Sequence, residues 1–308
     1  MSIRCGVVGV GYLGRFHAQK YKSLSSLVGV SDANRARGEE VAKELGVPFY
    51  GDYRELFAQV DAVSIASSTL AHYEIARAAL NGGLHTLVEK PITAQAVQAI
   101  ELIELAKNKN RILQVGHIER FNPSFVAAQP YMGAPTFIDA QRFAPFNLRG
   151  SDVDVVRDLM IHDLDLVLSL VRSSVKSFSA VGSAIVTREV DLANVRLEFE
   201  NGAVANISAS RISKDAVRML RLFEKNRFVS IDLGKGGVEV TEKKGELQGT
   251  TLPFEIKTLV VEKGDALLAE VKSFVEAITL GRGPVVTGKD AYEALLLAEK
   301  IVAQIKSR

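Results

Sequence analysis

Two kinds of segment alternate along residues 5–116: short apolar runs, and longer segments whose apolar residues recur at helical spacing. The runs predict strands and the longer segments predict helices. Regular alternation of this kind indicates a doubly wound parallel sheet with right-handed crossovers. The predicted strands are Cys5–Val8, Leu27–Val30, Val47–Tyr50, Asp61–Ser67, Leu84–Val88 and Ile112–Gly116.

The pattern changes beyond residue 117. Asp152–Val171 predicts a helix, and the stretch from Ser177 to Glu262 is rich in alternating runs that predict strands. Asn201-Gly202 lies between two such runs and is a strong hairpin signal. The second half of the chain is therefore expected to form a mainly antiparallel sheet.

These patterns divide the chain into an expected nucleotide-binding domain, residues 1–120, and a second α/β domain, residues 121–308. Two helices, Ala266–Leu280 and Lys289–Ile305, end the chain, and the last of them could pack back on the first domain. A length of 308 residues fits two domains.

Composition narrows the function classes without choosing one. Apolar residues make up 47% and charged residues 24% of the chain, and the net charge of +2 gives no field that favours nucleic acid or membranes. A single cysteine, Cys5, excludes a disulfide framework and is expected to be a buried thiol. No signal-peptide pattern or membrane-spanning run is found, so the cytoplasm is the expected location.

Glycines at positions 9, 11 and 14 follow the first predicted strand and open a helix. In this motif Gly9 permits the tight turn, Gly11 allows the backbone to approach a pyrophosphate, and Gly14 allows close packing of helix on strand. The phosphates would lie against the helix N-terminus, beside Tyr12 and Leu13. The motif predicts dinucleotide binding because a strand precedes it and a helix follows it.

Asp32 ends the second predicted strand. A carboxylate there can accept hydrogen bonds from the adenosine ribose and repels a 2′-phosphate, which favours NAD over NADP. The alternative is that Asp32 only caps a helix. Arg35 and Arg37 follow closely and could accommodate a 2′-phosphate.

Glu89-Lys90-Pro91 closes the fifth predicted strand. Ligands of open α/β sheets bind at the carboxyl ends of the strands, so Lys90 is a candidate catalytic residue. A solvated surface lysine is the alternative. Pro91 stiffens the turn and could follow a cis peptide bond.

A narrow polar stripe runs along the predicted helix 152–171, which is otherwise apolar. At about 100° per residue, Asp154, Asp158, His162, Asp165 and Ser169 share one face. The stripe could border a polar cavity, form a satisfied internal His–Asp pair, or supply metal ligands; no further ligand cluster accompanies it, so no metal is expected.

Together these residues indicate oxidation of an alcohol. Hydride transfer to a nicotinamide leaves a hydroxyl proton that needs a base, and either Lys90 or His162 could accept it. Asp158 lies one turn before His162 and could orient the imidazole or the substrate.

The same residues resemble the glucose–fructose oxidoreductase/inositol dehydrogenase (Gfo/Idh/MocA) family. The resemblance extends over the chain: G-V-G-Y-L-G at 9–14, E-K-P at 89–91, R-F-N-P at 120–123, D-x-x-x-H at 158–162 and T-G-K-D-A at 287–291. Met160 stands where the family motif usually has glycine. The resemblance implies a Rossmann domain, an open-sheet second domain, and a homodimer or homotetramer formed through the sheets.

The resemblance also implies roles for particular residues. Lys90 and His162 would be catalytic and Asp158 would contact the substrate. Ser67 and His72 would line the nicotinamide side, and Glu89 would belong to the cofactor site.

A narrower likeness is to the branch that oxidises UDP-N-acetylglucosamine at C3 for lipid A synthesis. It rests on residues 114–123, on R-F-A-P-F at 142–146, and on residues 152–166. Diphosphates need cationic partners, and the candidates are Arg120, Arg142, Arg149 and Arg211. The alternative is that these are surface or structural arginines. The alternatives are a dehydrogenase of a free sugar or cyclitol, and a non-catalytic protein that senses NAD or sugar.

Overall fold

The structure, a computed structural model, describes residues 3–24, 26–148, 153–246 and 253–307. The chain forms two compact units. The first comprises residues 1–118 and 265–295, and the second comprises residues 119–264 and 296–308. Residues 265–295, which the sequence pattern assigned to the second domain, therefore return to the first unit.

The first unit contains a six-stranded parallel sheet of order β3-β2-β1-β4-β5-β6. Its strands are almost continuously buried, because helices cover both faces of such a sheet. The strands are β1 (Cys5–Val8), β2 (Leu27–Ser31), β3 (Phe49–Tyr50), β4 (Ala62–Ile65), β5 (His85–Glu89) and β6 (Leu113–Gly116).

Five helices connect these strands: α1 (Tyr12–Ser23), α2 (Arg35–Leu45), α3 (Tyr53–Phe57), α4 (Thr69–Asn81) and α5 (Ala96–Asn108). Asn34 caps α2, where its side chain accepts a hydrogen bond from the Arg37 backbone N–H. The helix α5 begins after Gln95, and Gln98 Oε1 accepts a hydrogen bond from the Gln95 N–H.

The core of this unit packs around Cys5, Val7, Tyr21 and Phe274. Cys5 is fully buried, and burial raises the pKa of its thiol to about 12, as expected of a structural cysteine. Phe274 lies on α8 (Ala266–Leu280), which explains why residues 265–295 belong to this unit.

The second unit is built on an eight-stranded sheet of order β14-β13-β12-β11-β7-β10-β9-β8. All neighbouring pairs are antiparallel except β7 and β10, which are parallel. Gly202 has a φ of +84° in the turn between β9 and β10, so the predicted Asn-Gly hairpin is confirmed. The strands are β7 (Phe137–Phe143), β8 (Val175–Ser183), β9 (Leu192–Phe199), β10 (Val204–Ser210), β11 (Val217–Phe223), β12 (Arg227–Asp232), β13 (Gly237–Lys243) and β14 (Phe254–Leu259).

One face of this sheet is buried, since β9 alternates strictly between exposed and buried positions. The helical elements of this unit are α6 (Pro123–Ala128), α7 (Ile161–Val171) and the last turns of α9 (Gly288–Lys306). Short 3₁₀ turns lie at Ile118–Phe121 and Gln129–Tyr131.

The predicted fold class is thus confirmed: a parallel doubly wound sheet plus a mainly antiparallel open sheet. Among the described residues, no helix is both long and apolar enough to span a bilayer.

Candidate active site

The glycine turn lies between β1 and α1, where the sequence placed it. Gly9 has a φ of +83°, and a Cβ there would come within 2.5 Å of the Ser67 nitrogen. A Cβ on Gly14 would lie 1.7 Å from the Gly9 carbonyl oxygen, whereas a Cβ on Gly11 would meet nothing within 4 Å. The surrounding atoms therefore require glycine at positions 9 and 14, whereas Gly11 borders open space.

That open space belongs to a cavity of about 830 Å³ in the first unit. Its lining includes Gly9, Gly11, Asp32 and Ser67. Tyr12 and Leu13 at the start of α1 are exposed, and no side chain caps this helix end. A helix N-terminus without a side-chain cap beside a cavity fits a dinucleotide pyrophosphate.

Asp32 shapes the turn as well as lining the cavity. One carboxylate oxygen accepts a hydrogen bond from the Val10 N–H at 2.7 Å, and the other accepts one from the Asn34 N–H at 2.8 Å. Arg37 donates to the Val10 carbonyl at 3.1 Å and pairs with Glu40 at 2.8 Å. Arg35 pairs with Glu39. Both arginines that could accommodate a 2′-phosphate are thus already paired with carboxylates.

His72 joins the ends of two strands. Its Nδ1 lies 2.9 Å from the Pro91 carbonyl oxygen and its Nε2 lies 3.2 Å from the Ser67 carbonyl oxygen. The side chain is only 1% exposed, and burial lowers the pKa of the imidazole. His72 therefore holds the backbone around Ser67 and the Lys90–Pro91 bond, which is cis.

Lys90 is half-buried at the end of β5, and its backbone N–H donates to Glu89 Oε2 at 3.1 Å. The neighbouring Glu89 is buried, and its Oε1 lies 2.8 Å from His17 Nε2. Glu89 was predicted to bind the cofactor. The structure instead directs its carboxylate to His17, a residue that sequence reasoning missed although it follows the glycine motif on α1.

Asp158 and His162 lie in the second unit, in a segment that was predicted as one regular helix. Residues Val156–Met160 form a π-helical turn, and α7 begins at Ile161. A π-helical turn changes the angular spacing, so the predicted stripe is not continuous. Asp158 and His162 are half-buried within this otherwise largely buried segment.

Two acidic residues of the stripe, Asp154 and Asp165, are held in ion pairs. Asp154 accepts from the Arg157 guanidinium at 3.0 Å, and Asp165 binds Arg120 at 2.6 and 2.9 Å. The stripe did not include Asp163, yet Asp163 is the partner of Arg142.

Three of the four arginines predicted to bind a diphosphate are engaged in ion pairs, and Arg149 lies outside the described residues. Arg142 contacts Asp163 at 2.8 and 2.9 Å and Glu119 at 2.7 Å, with all three side chains buried. Burial alone would lower the pKa of Arg142, but these carboxylates raise it.

Arg211 is buried in a similar way. It donates to Asp191 at 2.8 Å and also to the Val153 carbonyl oxygen. The Asp191 carboxylate accepts three further backbone N–H groups, from residues 185–187. Burial would raise the pKa of Asp191, but these donors together lower it. Arg142 and Arg211 are each 4% exposed, so their observed contacts are structural.

Arg120 retains some exposure, 13% of its side chain, despite its bidentate pair with Asp165. It borders a polar cavity of about 620 Å³ in the second unit, together with Gln129, Arg172 and Asn201. Of the three candidate arginines that lie within the described residues, Arg120 borders this cavity.

Two family models match the chain. One, described as an oxidoreductase family with an NAD-binding Rossmann fold, matches residues 3–117. The other, the GFO/IDH/MocA C-terminal domain, matches residues 133–228. The UDP-N-acetylglucosamine 3-dehydrogenase of Acidithiobacillus ferrooxidans is 40% identical over 283 residues, which cover 92% of this chain and 90% of the relative. This chain belongs to the Gfo/Idh/MocA oxidoreductase family.

Other Gfo/Idh/MocA proteins agree with this assignment. A solved structure of the Acidithiobacillus ferrooxidans enzyme superposes with a TM-score of 0.95 at 37% identity and covers 100% of this chain and 98% of that one. The myo-inositol 2-dehydrogenase of Thermotoga maritima is 29% identical and covers 96% of this chain and 94% of the relative. The chain is accordingly an NAD(P)-dependent dehydrogenase that acts on CH–OH groups.

Two glycine substitutions separate cofactor binding from folding. Gly11→Ala should weaken NAD binding about tenfold or more, because the new methyl group enters the cavity while meeting no protein atom. Gly14→Ala should lower the free energy of unfolding by about 1–3 kcal/mol or more, because its methyl group would overlap the Gly9 carbonyl. Calorimetric titration with NAD and thermal unfolding measure the two effects. Equal loss of stability in both variants would contradict this division.

Arg142→Met tests whether Arg142 is structural. It leaves Asp163 and Glu119 buried without their cation and should cost about 3–5 kcal/mol of unfolding free energy. The control is Arg221→Met, which removes the more exposed pair with Asp139 and should cost about 1 kcal/mol or less. If the Arg142→Met protein is stable and loses only substrate affinity, Arg142 binds the diphosphate and is not structural.

Proposed function

We propose that this protein oxidises C3 of UDP-N-acetylglucosamine to the 3-keto nucleotide sugar, with NAD as the oxidant. The proposal rests chiefly on the similarity, over nearly the whole of both chains, to the Acidithiobacillus ferrooxidans 3-dehydrogenase. It is supported by three polar side chains, Lys90, Asp158 and His162, which are each half-buried and so keep some exposure to a ligand.

Residues of the first unit would hold the cofactor. Gly11 gives the pyrophosphate room at the start of α1, and Asp32 can accept hydrogen bonds from the adenosine ribose hydroxyls. A 2′-phosphate would meet the Asp32 carboxylate, and Arg37 is already paired with Glu40, which favours NAD over NADP. When bound, NAD supplies the acceptor for the hydride.

Lys90 and His162 are the proposed acid–base residues. In the oxidation of a secondary alcohol, the carbinol hydrogen leaves as hydride, together with the electron pair of the C–H bond. The hydroxyl proton is also released, and one of these side chains accepts it. His72, whose ring holds the Pro91 carbonyl, keeps the backbone beside Lys90 fixed. Asp158 is proposed to contact the substrate.

Of the arginines predicted to bind the diphosphate, Arg120 and Arg149 stay in the proposal, and Arg142 and Arg211 do not. Arg120 borders the polar cavity in the second unit. Arg142 is buried between two carboxylates, and Arg211 is buried against the Asp191 carboxylate, the Val153 carbonyl oxygen and the Thr187 hydroxyl. An anion would have to compete with those carboxylates at a cost in desolvation.

A role in lipid A synthesis, a cytoplasmic location and a homo-oligomer stay predictions. The outer face of the eight-stranded sheet offers some support for an oligomer. Phe137, Phe223 and Phe228 cluster there, with ring centroids 5.3 and 4.7 Å apart, and each is half-buried. Such aromatic groups are enriched at protein interfaces.

The purified protein should reduce NAD when UDP-N-acetylglucosamine is added, and NADP more slowly. Lys90→Ala and His162→Ala should each lower kcat about 10²–10⁴-fold, because each removes a proposed acid–base group. Absorbance of NADH measures turnover, and calorimetry with NAD checks that the cofactor site remains intact. Matched controls are Lys107→Ala, an exposed lysine on α5, and His85→Ala at the opposite end of β5.

Turnover of free hexoses or inositols in place of the nucleotide sugar would reject the substrate proposal and favour the cyclitol alternative. Unchanged kcat in both variants would reject the acid–base assignment. Binding of NAD and sugar without any turnover would identify a sensor protein.

A further inference from the structure

Three buried titratable side chains meet in the first unit, each from a different element. His17 lies on α1, Glu89 ends β5 and Glu270 lies on α8; they are 1%, 9% and 0% exposed. One ring nitrogen and two carboxylate oxygens of this cluster lie within 4.8 Å of one another. The cluster therefore joins the helix of the glycine turn, the strand that carries Lys90, and the returning C-terminal segment.

Both oxygens of Glu89 are used. Oε1 lies 2.8 Å from His17 Nε2, and Oε2 accepts the Lys90 backbone N–H at 3.1 Å. The two side-chain oxygens of Glu270 are buried and have no hydrogen-bond partner among the described residues, although Gln114 donates to the Glu270 backbone carbonyl. An ionised carboxylate left in that state would be very costly.

Protonation of Glu270 prevents a second negative charge from lying beside Glu89. The cluster then holds the Glu89 carboxylate, 2.8 Å from the His17 ring, and an uncharged Glu270. Burial and the neighbouring Glu89 both raise the pKa of Glu270 well above its usual range. Burial opposes ionisation of Glu89, but the His17 hydrogen bond lowers its pKa.

Other titratable groups face the cluster from the elements around it. Tyr21 on α1 is fully buried, and burial raises its pKa, with a contribution from Glu270. The charges of Lys90 and of His72 on α4 interact with Glu89. None of these groups supplies a cation directly to Glu270, which leaves protonation as the means of neutralising it.

We infer that Glu270 is protonated, that Glu89 is then the single carboxylate charge in its cluster with His17 and Glu270, and that this cluster fixes the end of β5 and thereby positions Lys90. The inference rests on the proposed function only for the role of Lys90. His17, Glu89 and Glu270 are positioning residues, because they act through the Lys90 backbone.

A proton explains the geometry better than a metal ion. The His17–Glu89 distance of 2.8 Å is that of a hydrogen bond. Ligands held about 2.0–2.2 Å from a tetrahedral zinc ion would stand about 3.4 Å apart.

The pH dependence of stability tests for the proton on Glu270 without any substrate. Its pKa is raised in the folded state, so its carboxyl is protonated in both states below the unfolded value of about 4.3. As the pH rises above that value, the unfolded chain loses the proton first, and wild-type stability falls. Glu270→Gln keeps the hydrogen-bonding shape but cannot titrate.

Unfolding measured by denaturant at pH values from 5 upward should therefore show a range in which wild-type stability falls more steeply with pH than that of Glu270→Gln, because folding of the wild type takes up the extra proton there. The control Glu276→Gln, an exposed position on the same helix, should keep the wild-type slope. Equal slopes in the wild type and Glu270→Gln would overturn the inference. One equivalent of bound metal per chain that Glu270→Gln lacks would also overturn it.

Kinetics test the positioning of Lys90. Glu89→Gln should lower kcat at least tenfold and change KM for NAD less than twofold, because the cavity lining is untouched. Glu270→Gln should retain at least tenfold more activity than Glu270→Ala. Equal kcat in these two Glu270 variants would reject the positioning role.

Absence of wild-type turnover would instead reject the proposed substrate. The dependence of stability on pH would still decide whether Glu270 is protonated.

Discussion

A charge buried in a protein needs a partner, and this requirement decides which charged residues of the chain remain available for chemistry. In the second unit Arg142 lies between Asp163 and Glu119, and Arg211 is bound to Asp191. In the first unit the buried Glu89 carboxylate lies 2.8 Å from His17. A substrate could reach Arg142, Arg211 or Glu89 only by displacing a buried partner, so these residues serve the fold.

Lys90, Asp158 and His162, the proposed acid–base and substrate-contacting residues, are each half-buried. Each lies beside a feature that fixes its backbone. Lys90 follows the buried Glu89, and Asp158 lies in the π-helical turn that leads into α7 and His162. The proposed chemistry needs such fixed but accessible groups, because a proton acceptor must be held close to the reacting hydroxyl.

Local signals in the sequence predicted much of the fold. The spacing of Gly9, Gly11 and Gly14, the apolar runs of the parallel strands and the Asn201-Gly202 turn all depend on neighbouring residues, and the structure places them as predicted. The candidate residues at 90, 158 and 162 could also be found from the sequence, although their catalytic roles stay predictions.

Non-local pairing could not be predicted in the same way. Arginines 120, 142 and 211 were interpreted as anion-binding residues because the pattern gives no sign of which carboxylate lies opposite each of them. The π-helical turn breaks the fixed angular spacing that the helical stripe assumed. Glu270 is far from Glu89 in sequence. The two side chains meet because residues 265–295 belong to the first unit, which the sequence pattern did not predict.

The central claim is that this Gfo/Idh/MocA protein removes the hydride from C3 of UDP-N-acetylglucosamine, and isotope transfer tests it most directly. The substrate is labelled with deuterium at C3 and incubated with the enzyme and NAD, and the reduced cofactor is analysed by mass spectrometry. The account predicts cofactor that carries one deuterium, together with a 3-keto nucleotide sugar that has lost it. Reduced cofactor without deuterium, or a product that keeps the label at C3, would contradict the account.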